Sequence, residues 1–156
     1  MDARAASCNS LISLNRKEIV MFPTKSDFFK DMRQEAIHEI SEIAVEELYD
    51  AGTRLFAPGD PANDFYLLLD GRVRISIGKT NHKEYVVQNL GEAFGWSSVV
   101  GNLNYTAEAT CMTPTKLLKI HKTDLEKVFE NHERSGRKFY LTLARQLGQR
   151  LIDMHG

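Results

Sequence analysis

Between Thr53 and Ile120 the apolar residues recur with a period of two, and turn residues break the pattern at short intervals. This alternation constrains the fold more than any other feature. Thr53-Arg54-Leu55-Phe56 reads as a short strand. The segment from Ala57 to Asp64 carries Pro58 and Pro61, which cannot sit inside a central strand, and reads as a rigid turn. Phe65 to Leu69 is a strongly apolar strand. Asp70-Gly71 reads as a tight hairpin turn. Arg72 to Ile77 alternates cleanly, with Val73, Ile75 and Ile77 on one face, and residues 83–90 form a further strand. Residues 107–112 and 116–120 complete the series, with Pro114 between them. Short strands at this spacing predict a sandwich or barrel.

Helical periodicity flanks the strands. Phe28, Phe29, Met32, Ala36, Ile37, Ile40, Ile43 and Ala44 recur at three and four, predicting a helix from residue 26 to about 45, capped by Ser26 or Asp27. Residues 46–52 are expected to leave that helix through a turn. After the strands, Thr123 is expected to cap a short helix, with Glu126 placed for a capping box. A longer helix is predicted over 134–155, weakened by Gly136 and Gly148. Its apolar stripe, from Phe139 to Met154, is wider than one buried face needs. A homodimer through this helix is expected, with Ala144 and Gly148 allowing close approach.

Composition narrows the function. The chain has 156 residues, enough for one domain with a real core. Residues 1–25 are expected to be a flexible N-terminal segment, and 26–156 the folded domain. Twenty basic and 21 acidic residues leave a net charge of -1, which gives no pull toward nucleic acid or membrane. No stretch has transmembrane length or the form of a signal peptide, so a cytoplasmic protein is expected. Cys8 and Cys111 are far apart and form no CxxC pair. His38, His82, His121, His132 and His155 lack HxH or HxxxH spacing. No metal site, cofactor or enzymatic activity is expected.

The run from Gly91 to Thr110 interrupts the strands. It holds Gly91, Gly95 and Gly101, the single Trp of the chain, and a Ser-Ser pair. Glycine followed by small hydroxyl residues can aim several backbone N–H groups at an anion. A tight corner plugged by Trp96 fits the same residues.

The order of these parts resembles the cyclic nucleotide-binding domain of the catabolite-activator, or Crp/Fnr-like, family. The residues that carry the resemblance are Gly52 to Asp60, Tyr66 to Val73, Leu90 to Gly95, and the Leu143 to Leu147 and Arg150-Leu151 pattern. It covers about residues 26–155. It implies an α+β fold, a double-stranded β-helix (jelly-roll) barrel with a flanking N-terminal helix and a long C-terminal helix. It also implies a regulatory ligand-binding domain, with Gly91 to Ala109 as its phosphate cassette.

The family pattern places a Glu after Phe-Gly to hold the ribose, and an Arg about nine residues later to hold the cyclic phosphate. Here those positions are Trp96 and Tyr105. Loss of the cation matters because a buried phosphate left without one costs about 3–5 kcal/mol, roughly two to four decades in affinity. Cyclic AMP and cyclic GMP are therefore expected to bind poorly. The expected ligand site is Phe94, Gly95, Trp96, Ser97, Ser98, Tyr105, Thr106 and Ala107. Its ligand would be a small molecule, nucleotide-like or another anion. Trp96 either stacks on a planar ligand or fills the pocket, and filling is favoured. By register, Met154 and His155 would approach the pocket. The alternatives are a ligand-free domain that acts in assembly and a haem sensor using His82 and Cys111. With Gly156 as the last residue, no helix-turn-helix follows, so a standalone effector domain is expected.

Overall fold

The computed structural model describes residues 26–78, 80 and 82–155. The flexible segment expected over 1–25 lies outside the described residues. Among the described residues, three α-helices and eight strands make up the fold: α1 (Gln34–Ile43), β1 (Val45–Tyr49), β2 (Arg54–Phe56), β3 (Asp64–Asp70), β4 (Val73–Ile77), β5 (Lys83–Val87), β6 (Ala93–Phe94), β7 (Ala107–Cys111), β8 (Thr115–His121), α2 (Lys122–Asn131) and α3 (Glu133–His155).

The strands form two four-stranded antiparallel sheets, ordered β1-β8-β3-β6 and β2-β7-β4-β5. This jelly-roll-like arrangement corrects the expected barrel. Among the described residues no ladder joins the two sheets, and the fold is not a closed barrel. β3 shows why its sequence reads as a continuous apolar run. Phe65 and Leu67 join the core under the helices, while Tyr66 and Leu68 join the core between the sheets. A strand covered on both faces has no polar side to alternate.

Asp70-Gly71 is not a hairpin turn, because β3 and β4 belong to different sheets. It is a corner that carries the chain from one sheet to the other. The β7–β8 connection makes the reverse crossing, and the two corners pack together. Arg72 N donates to Thr113 Oγ1 at 3.0 Å, and Met112 N donates to Arg72 O at 2.8 Å. Gly71 has φ 99°, and a Cβ there would lie 2.6 Å from Pro114 O, so only glycine fits.

The helical expectations need three corrections. Residues 26–32 form a turn rather than the start of α1. Phe29 N and Lys30 N both donate to Ser26 O, and Asp31 takes a left-handed φ of 70°, which ends the turn. The apolar stripe still points inward: Phe28, Phe29, Met32, Ala36, Ile37 and Ile40 are buried. Residues 45–49 form strand β1, not a turn. The pair Glu46-Glu47 hides the strand in the sequence, and Lys116 and Lys119 of the neighbouring β8 match it at 3.8 and 3.1 Å. The cap of α2 is His121, whose Nδ1 accepts from Thr123 N at 3.2 Å. The helix therefore starts one residue before the expected Thr123 cap.

Gly136 sits where α3 meets α2. It lets the helix approach α2, since a Cβ there would meet Phe129 at 2.9 Å. Phe139 lies buried among Phe28, Phe29, Phe65 and Phe129, and anchors the first half of α3 on the β1-β8-β3-β6 sheet.

Candidate functional site

The candidate site lies where the chain leaves β6 in one sheet and enters β7 in the other. β6 has two residues and pairs only with β3, so it acts as a short tether. Gly95 follows with φ 75°, and Trp96–Ser98 makes one 3-10 turn. Ser98 Oγ donates back to Gly95 O at 2.8 Å, and Asn102 N donates to Ser97 O at 3.2 Å. Ser97 and Ser98 are buried, and the Ser98 hydroxyl is spent on the turn itself.

A second clamp fixes the far end of the loop. The turn between β2 and β3 grips residues 103–105: Tyr105 N donates to Asp60 O at 2.9 Å, Gly59 N to Tyr105 O at 3.0 Å, and Asn104 Nδ2 to Gly59 O at 2.7 Å. Pro61 also forms an isolated antiparallel bridge with Asn104.

Between the two clamps is a small cavity lined by Phe56, Ile75, Ile77, Tyr85, Gly95, Trp96, Ser97, Tyr105, Thr106 and Ala107. Its volume is about 20 Å³, room for a single water. The lining carries neither a cation nor a carboxylate. Six of the eight predicted site residues line it. Phe94 does not. It is fully buried and stacks on Tyr66 with ring centroids 4.9 Å apart. Ser98 does not line it either. Phe56, Ile75, Ile77 and Tyr85 were not singled out as site residues. Strand alternation had placed Ile75 and Ile77 on an inner face, which is the signal that reaches them.

Tyr105 belongs to the aromatic core. Its ring stacks on Phe56 at 3.8 Å, and its hydroxyl donates to Asp64 O at 2.6 Å while accepting from Asp64 N at 3.2 Å. Burial pushes its pKa up to about 12. Burial likewise raises the pKa of neighbouring Tyr66 and of the Asp64 carboxyl. Trp96 is half-buried and lines the cavity together with Tyr85. Tyr85 is itself buried enough that desolvation raises its pKa.

One residue of α3 reaches this region. The Arg150 guanidinium lies 3.8 Å from the centroid of the Tyr85 ring, and its Nη2 pairs with Glu92 Oε2 at 2.9 Å. The other oxygen of Glu92 accepts from Gln88 N, Asn89 N and Asn89 Nδ2. Met154 and His155, expected near the pocket, have side chains outside those described. The two candidate haem ligands are not brought together. His82 adjoins Lys83, which pairs with Ile77, whereas Cys111 pairs with Val73 at the other end of β4. Those ends are roughly 13 Å apart. His82 is exposed and bonds Glu84 at 2.8 Å, which raises its pKa; Cys111 is buried. Among the described residues no cluster of three metal-ligating side chains forms.

Two antiparallel sheets, an intervening 3-10 turn entered through a left-handed glycine, and a helix reaching back over it define a jelly-roll-like ligand-binding domain. Residues 46–132 match the cyclic nucleotide-binding domain family, and the chain belongs to that family. The family is regulatory. Its solved neighbours include the sensor domain of the transcriptional regulator DNR from Pseudomonas aeruginosa, with TM-score 0.71 and 19% identity over 90% of this chain and 96% of that one. A cyclic nucleotide-binding domain from Methylobacillus flagellatus aligns with TM-score 0.74 and 20% identity, covering 90% of this chain and 80% of that one. In sequence, the chain is 24% identical over 100 residues to the cGMP-dependent protein kinase egl-4 of Caenorhabditis elegans. That match takes in 62% of this chain and 13% of the kinase.

Proposed function

We propose that residues 26–156 form a small-ligand sensor of the cyclic nucleotide-binding type, with a non-standard phosphate cassette that binds cyclic AMP and cyclic GMP poorly. The cavity carries this reading. Ligand pockets generally span about 300–1,000 Å³, and here Trp96, Tyr105 and Phe56 leave about 20 Å³ with no cationic side chain in the lining. A phosphate there would face apolar side chains and pay its desolvation without an ionic partner. Its ligand is a small molecule, nucleotide-like or another anion, that the backbone of the 3-10 turn can meet. Neither nucleic acid nor membrane is a partner. Among the described residues no helix is long and apolar enough to cross a membrane, and we place the protein in the cytoplasm.

Calorimetry with cyclic AMP and cyclic GMP tests the reading. Neither nucleotide should reach micromolar affinity, and micromolar or tighter binding refutes the proposal. The double variant Trp96→Glu, Tyr105→Arg should gain roughly two or more decades in affinity. The gain should come with lower stability, since Tyr105 gives up its stack on Phe56 and both bonds to Asp64.

The exposed face of α3 supports a homodimer. Leu141, Ala144, Gly148 and Leu151 recur at three, four and three, the spacing of a coiled-coil seam, and Leu141, Leu151 and Ile152 are exposed. Nothing within 4 Å would meet a Cβ at Gly148. Sedimentation equilibrium should find a dimer, and Leu151→Asp with Ile152→Asp should give a monomer of unchanged helix content. A monomeric parent chain refutes the assembly.

A further inference from the structure

We propose that the trough between the 26–32 turn and α3 is a second ligand site, separate from the cassette, for a small zwitterion of the acidic amino-acid class. The inference goes beyond the sensor reading and does not depend on it, since the trough and the cassette cavity share no lining residue. The trough has a volume of about 440 Å³. That lies within the range of about 300–1,000 Å³ usual for small-molecule pockets.

The charges on its two walls define what it takes. One wall is α3, where Lys138, Thr142, Arg145 and Gln146 recur at helical spacing and share a face. All four carry hydrogen-bond donors, and none is acidic. The other wall is the 26–32 turn, with Asp27, Lys30 and Asp31. Opposite charges thus line one trough, yet among the described residues Asp27, Lys30, Asp31 and Arg145 form no ion pair. The side-chain bond across the trough runs from Lys138 Nζ to the backbone O of Asp31 at 2.8 Å, which leaves the Lys138 charge without a carboxylate. The walls are fixed from beneath. Phe28 and Phe29 of the turn pack on Phe139 of α3, with ring centroids 5.2 and 5.9 Å away. This close-packed base sets the spacing of the two backbones before any ligand arrives. An acid group on Lys138 and Arg145, with an ammonium on Asp27 and Asp31, would span the gap. Arg145 suits a carboxylate because its guanidinium can donate two parallel bonds. Three cations against two carboxylates leave the lining one positive charge in excess. Two acid groups and one ammonium balance that excess, which is the charge pattern of glutamate. Of the seam residues on α3, only Leu141 also lines the trough.

Calorimetry on the full chain with L-glutamate at low salt tests the site. One molecule should bind per chain, with a dissociation constant of about 1 mM or tighter, ordinary for a ligand of this size. Arg145→Gln and Asp31→Asn should each weaken binding about tenfold. Asparagine tolerates the left-handed φ of Asp31, so that variant removes the charge and keeps the turn. Glutarate, which lacks the ammonium, should bind about tenfold more weakly than glutamate. Arg137→Gln removes a charge from an exposed position of α3 outside the trough, and should leave binding at the parent value. Absence of saturable glutamate binding overturns the proposal. Equal affinity for glutarate overturns it too, as does a loss in Arg137→Gln equal to that in Arg145→Gln. Cyclic nucleotide binding, found or not, leaves each of these outcomes separate.

Discussion

Gly95→Ala should destabilise the protein by about 2–5 kcal/mol, the larger of the effects expected within the cassette. Two costs add. Gly95 sits at φ 75°, and an L-residue in that left-handed region costs about 1–2 kcal/mol. The new methyl would also lie 2.8 Å from Cδ2 of Tyr66 and 3.1 Å from Asp64 O. Tyr66 has little room to retreat, since its ring packs against both Phe56 and Phe94, and Asp64 O is backbone already engaged by Tyr105. Overpacking of this kind adds about 1–3 kcal/mol. Gly101→Ala separates the two costs. Gly101 has φ 90° in the same loop, with nothing within 4 Å of a Cβ, so only the conformational cost of about 1–2 kcal/mol applies. Urea unfolding of both variants reads the difference. Equal losses would mean that the approach of Gly95 to Tyr66 has no energetic weight.

The same contact shows how much of the site the sequence revealed. The family resemblance pointed to the loop between β6 and β7, because Phe94-Gly95 and the later small residues are local features. What the sequence did not reveal is nonlocal. Phe56, Ile75, Ile77 and Tyr85 come from the second sheet and meet Trp96 only after both corners have folded. Arg150 entered only through the Arg150-Leu151 pattern of the family resemblance, and its partners Glu92 and Tyr85 lie in distant segments. The fold divides in a similar way. Strands with clean alternation, such as β4, were legible. β1 was not, because its two glutamates suit an edge strand facing the lysines of β8, a pairing that no local pattern records. The Asp70-Gly71 corner was misread as a hairpin because a tight turn looks the same whether its strands pair or part. Only the ladders of β3 with β8 and β4 with β7 distinguish the cases.

Phe139→Ala should cost about 3–5 kcal/mol, the usual loss for a buried Phe truncated to Ala. Its ring is fully buried, with centroids of Phe28, Phe29, Phe65 and Phe129 between 5.1 and 5.9 Å away. The cavity it leaves can close little, because those neighbours belong to three different segments: the 26–32 turn, β3 and α2. Thermal unfolding should fall by roughly 10 °C or more. The result bears on function because α3 is fastened at two places of different kinds. Phe139 fastens its first half by a dry aromatic cluster, and Arg150 fastens its last turns by one ion pair and one ring contact. The first is costly to undo and belongs to global stability. The second can open while the rest stays folded. Phe139→Ala should therefore lower the melting temperature strongly, and Arg150→Gln should lower it far less. Combined, the two losses of stability should add, since the sites share no partner. A strong departure from additivity would mean that α3 moves as one rigid rod.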